Sequence, residues 1–109
     1  MTEGHISTHF DRELEELKES IIYEGGLVER SIHDAIKALV ERNSELAQKV
    51  IADDDAVNAK EVKIDEFCIR LLALRQPAAK DLRFITMAIK INYDLERIGD
   101  MAVNISERA

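Results

Sequence analysis

Apolar residues recur along the first third of the chain at Phe10, Leu14, Leu17, Ile21, Val28, Ile32, Ala35 and Leu39. Steps of three, four and seven residues sustained that far describe a heptad-like seam on one long amphipathic helix, predicted over roughly Ser7 to Arg42. Composition agrees with helices throughout: 34% of residues are charged and 5% aromatic, with one proline and no tryptophan. A sheet protein would be richer in aromatics, β-branched residues and turn signals. Gly25 and Gly26 fall in the middle of the seam, where each costs about 1 kcal/mol against alanine. They suggest a close approach or a bend; the alternative is a helix held through them by packing on both sides.

The segment Arg42-Asn43-Ser44-Glu45 ends this pattern and opens another. Asn43 or Ser44 suits an N-cap, and Glu45 suits the positive end of a helix dipole. A second helix is expected from there to about Arg75, with an apolar stripe of Leu46, Val50, Val57, Ile64, Cys68 and Leu71. Asp54 and Glu61 occupy heptad positions in that stripe that would ordinarily be apolar. Pro77 pushes Gln76 out of the α region, ends the second helix and, with residues to Lys80, opens a third that runs through Asp100 to the chain end. Short connections make sequential helices antiparallel neighbours. The expected fold is therefore all-α, an up-down-up three-helix bundle of long amphipathic helices, with residues 1–109 forming a single domain. Helices of about 30 residues would be about 45 Å long.

The formal charge of -7 argues against non-specific nucleic-acid binding, which depends on basic surface. The lone Cys68 cannot form an internal disulfide, and its position on an apolar stripe reads as a small buried residue. The N-terminal residues lack the basic flank and apolar run of a signal peptide, and no segment approaches about 20 consecutive apolar residues. A cytoplasmic location without membrane insertion is expected.

Glu96, Asp100 and Asn104 recur every fourth residue and form a polar ridge on the third helix. Ile91, Leu95, Ile98, Ala102 and Ile105 repeat on a different face, which is expected to pack. On the second helix Asp54, Asn58, Glu61 and Asp65 fall within a strip about 60° wide, a second acidic ridge. Carboxylates at i and i+4 can reach one cation above their face, and an amide oxygen can complete its shell. Such pairs are also the ordinary make-up of a solvated helix face, with Asp65 pairing with Lys63 or Arg97 and Asp54 belonging to the run Asp53-Asp54-Asp55. Facing ridges would repel unless a cation or protonation relieved them. Oxygen ligands without sulfur or nitrogen suit iron, manganese, magnesium or calcium better than structural zinc. The histidines offer little: His5 and His9 are near the N-terminus, and His33 beside the seam reads as a surface residue. No Glu-x-x-His occurs, so the ligand pattern of ferritin-like di-iron bundles is absent from the sequence.

The run Asp94-Leu95-Glu96-Arg97-Ile98-Gly99-Asp100, followed by Ala102 and Asn104, resembles the signature of the PhoU family. The resemblance extends through Arg75-Gln76-Pro77-Ala78-Ala79-Lys80-Asp81-Leu82-Arg83, Glu61-Val62-Lys63-Ile64-Asp65-Glu66 and Gly25-Gly26-Leu27-Val28-Glu29. Family members usually contain two tandem three-helix repeats, each with its own acidic motif; this chain is read as the first. The resemblance implies a non-enzymatic regulator of phosphate uptake and phosphate-starvation signalling, a cytosolic adaptor between the phosphate ABC transporter and a sensor histidine kinase. It also implies a multinuclear iron or zinc site, with Glu96, Asp100 and Asn104 from the third helix and Glu61 and Asp65 from the second; Asn58 and Asp54 are secondary candidates. Arg75, Lys80 and Arg83 form a small basic cluster suited to an acidic partner surface. A single repeat is expected to leave apolar surface uncovered and to self-associate, most simply as a symmetric dimer. The alternatives are a metal-dependent hydrolase or metal-storage bundle on the same carboxylates, or an interaction bundle without metal.

Overall fold

The computed structural model describes the backbone of residues 2–108 and the side chains of residues 9–108. Three helices follow one another: α1 Thr2–Glu41, α2 Ser44–Arg75 and α3 Ala79–Glu107. Each packs against the other two. The bundle measures 61 × 17 × 17 Å. It is longer than a 30-residue helix requires because the 40 residues of α1 rise about 60 Å.

Two residues reverse the chain between α1 and α2. Arg42 takes a left-handed conformation (φ 54°), and Asn43 N–H donates to the Ala38 carbonyl at 2.8 Å while Arg42 N–H reaches that of Leu39 at 3.4 Å. This pair of bonds closes the last turn of α1 as a Schellman motif. Asn43 then caps α2: its side-chain oxygen accepts from Leu46 N–H at 3.1 Å. At the other end Gln76 is also left-handed (φ 44°), displaced from the right-handed α region by the proline that follows. Pro77 lies outside α3 rather than in its first turn, because Ala78 is the N-cap and has no side chain to bond with.

The core has two apolar ends. Leu17, Ile64, Cys68, Leu71, Ile85 and Ala88 form one; Ala35, Val50 and Ala102 form the other. Antiparallel packing places Glu24, Glu61 and Asn92 between them, each at a heptad position of its own helix. The seam of α1 is as expected except at its end, where Ala38 is buried and Leu39 exposed. Gly25 and Gly26 make no close approach and no break: α1 is continuous through them, and a Cβ at either would meet nothing within 4 Å.

The packing face of α3 agrees with the expected one at Ala102, which is buried, and at Ile105, which packs on the core, and differs from it elsewhere. Ile91 and Ile98 are each 37% exposed, and the buried line runs one residue over, through Ile85, Ala88, Asn92, Gly99, Ala102 and Ser106. Small residues occupy the tight centre where three helices meet, and the bulkier isoleucines flank it. Phe84, Met87, Ile91, Ile98 and Met101 thus form a second, exposed seam beside the first. It lies on the flank facing α1, because Phe84 lines a groove with Asp11, Leu14 and Lys18. Exposed Ile22 and Ile36 of α1 turn toward the same side.

Candidate metal centre

A groove of about 420 Å³ runs between α2 and α3, lined by Asn58, Glu61, Val62, Asp65, Asn92, Tyr93, Glu96 and Asp100. Four carboxylates from two antiparallel helices therefore face one space. Asn104, a turn beyond Asp100, is exposed and does not line it. Asp54 lies at the same end of the groove: its Oδ1 is 3.8 Å, and Glu61 Oε1 4.0 Å, from the point where a Cβ on Gly99 would stand. A Cβ there would touch both at ordinary van der Waals distance. Asp54 is held by Asn58, whose Nδ2 donates to Oδ2 at 3.1 Å.

The inner wall is buried. Glu61 is 6% exposed and Asn92 3%, and Asn92 Nδ2 donates to the Glu61 backbone carbonyl at 3.0 Å, tying α3 to α2. Glu61 Oε1 and Asn92 Oδ1 have no donor partner. Such orphans are rare in folded proteins and call for an explanation. Burial, followed by the charges of Glu96, Asp100 and Asp54, pushes the Glu61 carboxyl up to about 7. Burial, with Asp100 and Asp55 against the opposing Asn58 bond, also raises Asp54. The ion pairs among the described residues lie elsewhere: Lys49 with Asp53, Arg75 with Glu13 and, when the imidazole is protonated, His33 with Asp34. Neither Lys63 nor Arg97 neutralises Asp65.

In chemistry these residues suit a hard cation, which would replace the missing donors and relieve the repulsion. The arrangement is not preassembled: among the described residues no group of three His, Cys, Asp or Glu side chains stands close enough together to hold a metal ion.

A larger groove of about 550 Å³ separates α1 and α2, but it is internally matched. Lys60 lies 5.5 Å over Tyr23 and Arg70 5.2 Å over Phe67, with Glu16, Glu19 and Glu66 alongside. The basic cluster at the Pro77 turn is reduced because Arg75 Nε donates to Glu13 Oε1 at 2.7 Å, pinning the end of α2 to α1. Cys68 is buried, and burial together with Asp65 pushes its thiol up to about 11, leaving it unreactive. His33 is exposed beside Asp34, and the side chain of His5 lies outside the described residues.

A family profile described as the PhoU domain matches residues 21–109. The chain belongs to the PhoU family. It is 51% identical over 105 residues to a phosphate-specific transport system accessory protein PhoU homolog of Pseudomonas putida, covering 96% of this chain and 41% of that one. With the accessory protein PhoU of Escherichia coli K12 it shares 46% identity over 96% of its own length and 44% of the relative's. The crystal structure of PhoU from Pseudomonas aeruginosa superposes with a TM-score of 0.88 at 48% identity, covering 91% of this chain and 47% of that one. That of the Streptococcus pneumoniae phosphate transport system regulatory protein gives 0.84 at 39%, covering 90% and 46%. The chain spans less than half the length of the relatives it matches. The three-helix bundle is thus a PhoU fold.

Of the residues selected from sequence, the PhoU fold brings Glu61, Asp65, Glu96, Asp100 and Asn58 together, sets Asp54 beside Glu61 and leaves Asn104 outside. Sequence reasoning missed Glu24, Asn92 and Gly99. Glu24 is fully buried and neither carboxylate oxygen has a partner. Its signal was present: it fills the heptad position between Ile21 and Val28, as Glu61 does between Val57 and Ile64.

Proposed function

We propose that this chain is one three-helix repeat of a non-enzymatic, cytoplasmic regulator of phosphate uptake, acting as an adaptor between the phosphate ABC transporter and a sensor histidine kinase. The observation that carries the reading is the match of 96% of the chain to phosphate-specific transport accessory proteins at 46–51% identity. Among the described residues no helix is long and apolar enough to cross a membrane, in keeping with a protein that docks on membrane components from outside the bilayer. The paired acidic ridges support a multinuclear iron site, or one of zinc, manganese or magnesium, held by Glu61, Asp65, Glu96 and Asp100, with Asn104 outside the groove. Their side chains would rotate inward to close on it. Bound metal would lock α2 to α3 and fix the surface a partner reads.

Self-association, as a homodimer first, is part of the same reading. The exposed seam of Phe84, Met87, Ile91, Ile98 and Met101 is the kind of apolar stripe that a helix covers.

The functional test is genetic. Cells lacking the protein should express a phosphate-starvation reporter in phosphate-rich medium, and restoring the gene should silence it. A reporter that stays off in its absence would refute the regulatory reading.

A further inference from the structure

The flank shared by α1 and α3 is striped along its length. Its middle is the exposed apolar seam of α3, joined from α1 by Ile22 and Ile36. At about 100° per residue, Arg83, Lys90 and Arg97 line the edge of that seam away from α1, and all three are exposed. On α1, Asp11 and Glu15 turn to this flank beside Phe84, and Glu29, about three turns beyond Lys18, keeps the same rotation. Among the described residues none of these charged groups makes an ion pair. The flank therefore has a basic edge on α3, an acidic edge on α1 and apolar surface between them.

The two edges are in register. The up-down-up order makes α1 and α3 parallel, with Leu17 in the same core layer as Ile85 and Ala35 in the same layer as Ala102. On that register Glu15 is level with Arg83, and Glu29 with Arg97. Within one chain the seam holds the members of each pair apart. A second copy, turned over about an axis along the helices, lays its α1 on this α3 in the same direction and brings each acid onto its cation, while Ile22 and Ile36 cover the seam. Turned about an axis across the helices, the copy would instead run antiparallel and set basic edge on basic edge. Asp94 and Lys18 interrupt the edges, but they are level with Gly26 and Thr86 and meet no like charge in the parallel arrangement. The acidic α2–α3 grooves turn away from the contact, and salt screens their repulsion over about 8 Å.

We propose that the α1–α3 flank is a docking face for a second copy of this chain, in a parallel two-fold pair in which Arg83 and Arg97 meet Glu15 and Glu29 from α1 of the other copy. This rests on the reading of the seam as a self-association surface and adds the direction of pairing and the residues that set it.

The test is sedimentation of the full chain at low salt, with variants matched for helicity by circular dichroism. Arg83→Glu/Arg97→Glu and Glu15→Arg/Glu29→Arg each place like charges along both edges and are expected to weaken association about tenfold or more; the four substitutions together reverse both edges and are expected to restore it to within about threefold of wild type. Direction is read by cross-linking. Glu15→Cys chains mixed with Arg83→Cys chains should be joined by a short bis-maleimide, and Glu15→Cys chains alone should not; Cys68 is buried and stays in place. Unchanged association in both charge-reversed variants, no recovery in the fourfold variant, or no mixed cross-link would overturn the parallel pairing and leave self-association standing. A wild-type monomer would overturn both and assign the flank to a partner other than this chain.

Discussion

Two buried carboxyls, Glu24 and Glu61, tie the stability of this bundle to pH. Burial, the charge of Glu61 and that of Glu96, against the opposing Lys60, push Glu24 up to about 7; Glu61 rises to the same value. Both have folded pKa values above their ordinary 4.5, so the stability they contribute is present below about 4.5 and is lost as pH rises through about 7. Thermal melts of chelated protein should show Tm falling between about pH 5 and pH 8, by the equivalent of roughly 2 to 3 kcal/mol for each carboxyl, and Glu24→Gln should flatten the slope. A Tm that is level or rises over that range would contradict the assignment. Glu61 was legible in the sequence as an acid at an apolar heptad position. Asn92 and Gly99 were not, because hydropathy favours the neighbouring Ile91 and Ile98, while the space at the centre of three helices selects for small size. Only the packed neighbours decide between two adjacent seams.

At the scale of the helix, periodicity and punctuation carried most of the information. Heptad steps located α1, Asn43 marked the start of α2, and Pro77 marked the break before α3. The detail at each end depended on backbone geometry that side-chain chemistry does not announce. Arg42 and Gln76 occupy left-handed positions that usually favour glycine, and Ala78 stands where a capping side chain would be expected. The actual glycines of α1 are in regular helix with open space at their Cβ positions. Gly26→Ala should therefore stabilise the protein by up to about 1 kcal/mol, measured by urea denaturation. Destabilisation would mean that the position is crowded by something packed on it in solution.

The molecule as a whole has two unlike faces. The α2–α3 groove is acidic; the α1–α3 flank is apolar, with Ile22, Met87 and Met101 about half exposed or more. The resemblance pointed to both, but which residues compose the apolar face became apparent only once the core line of α3 was placed. Sedimentation at micromolar concentration should show a species larger than a monomer, and Met87→Glu/Ile98→Glu should return it to monomer with its helicity intact. A wild-type monomer would remove self-association from the account. The central claim is that the groove is a cation site and not a solvated face. It is tested most directly by elemental analysis of the chain purified without chelator or affinity tag, beside Glu96→Ala/Asp100→Ala. The account predicts a stoichiometric hard cation in the wild type that is lost in the variant at unchanged helicity. Substoichiometric metal in both would contradict it.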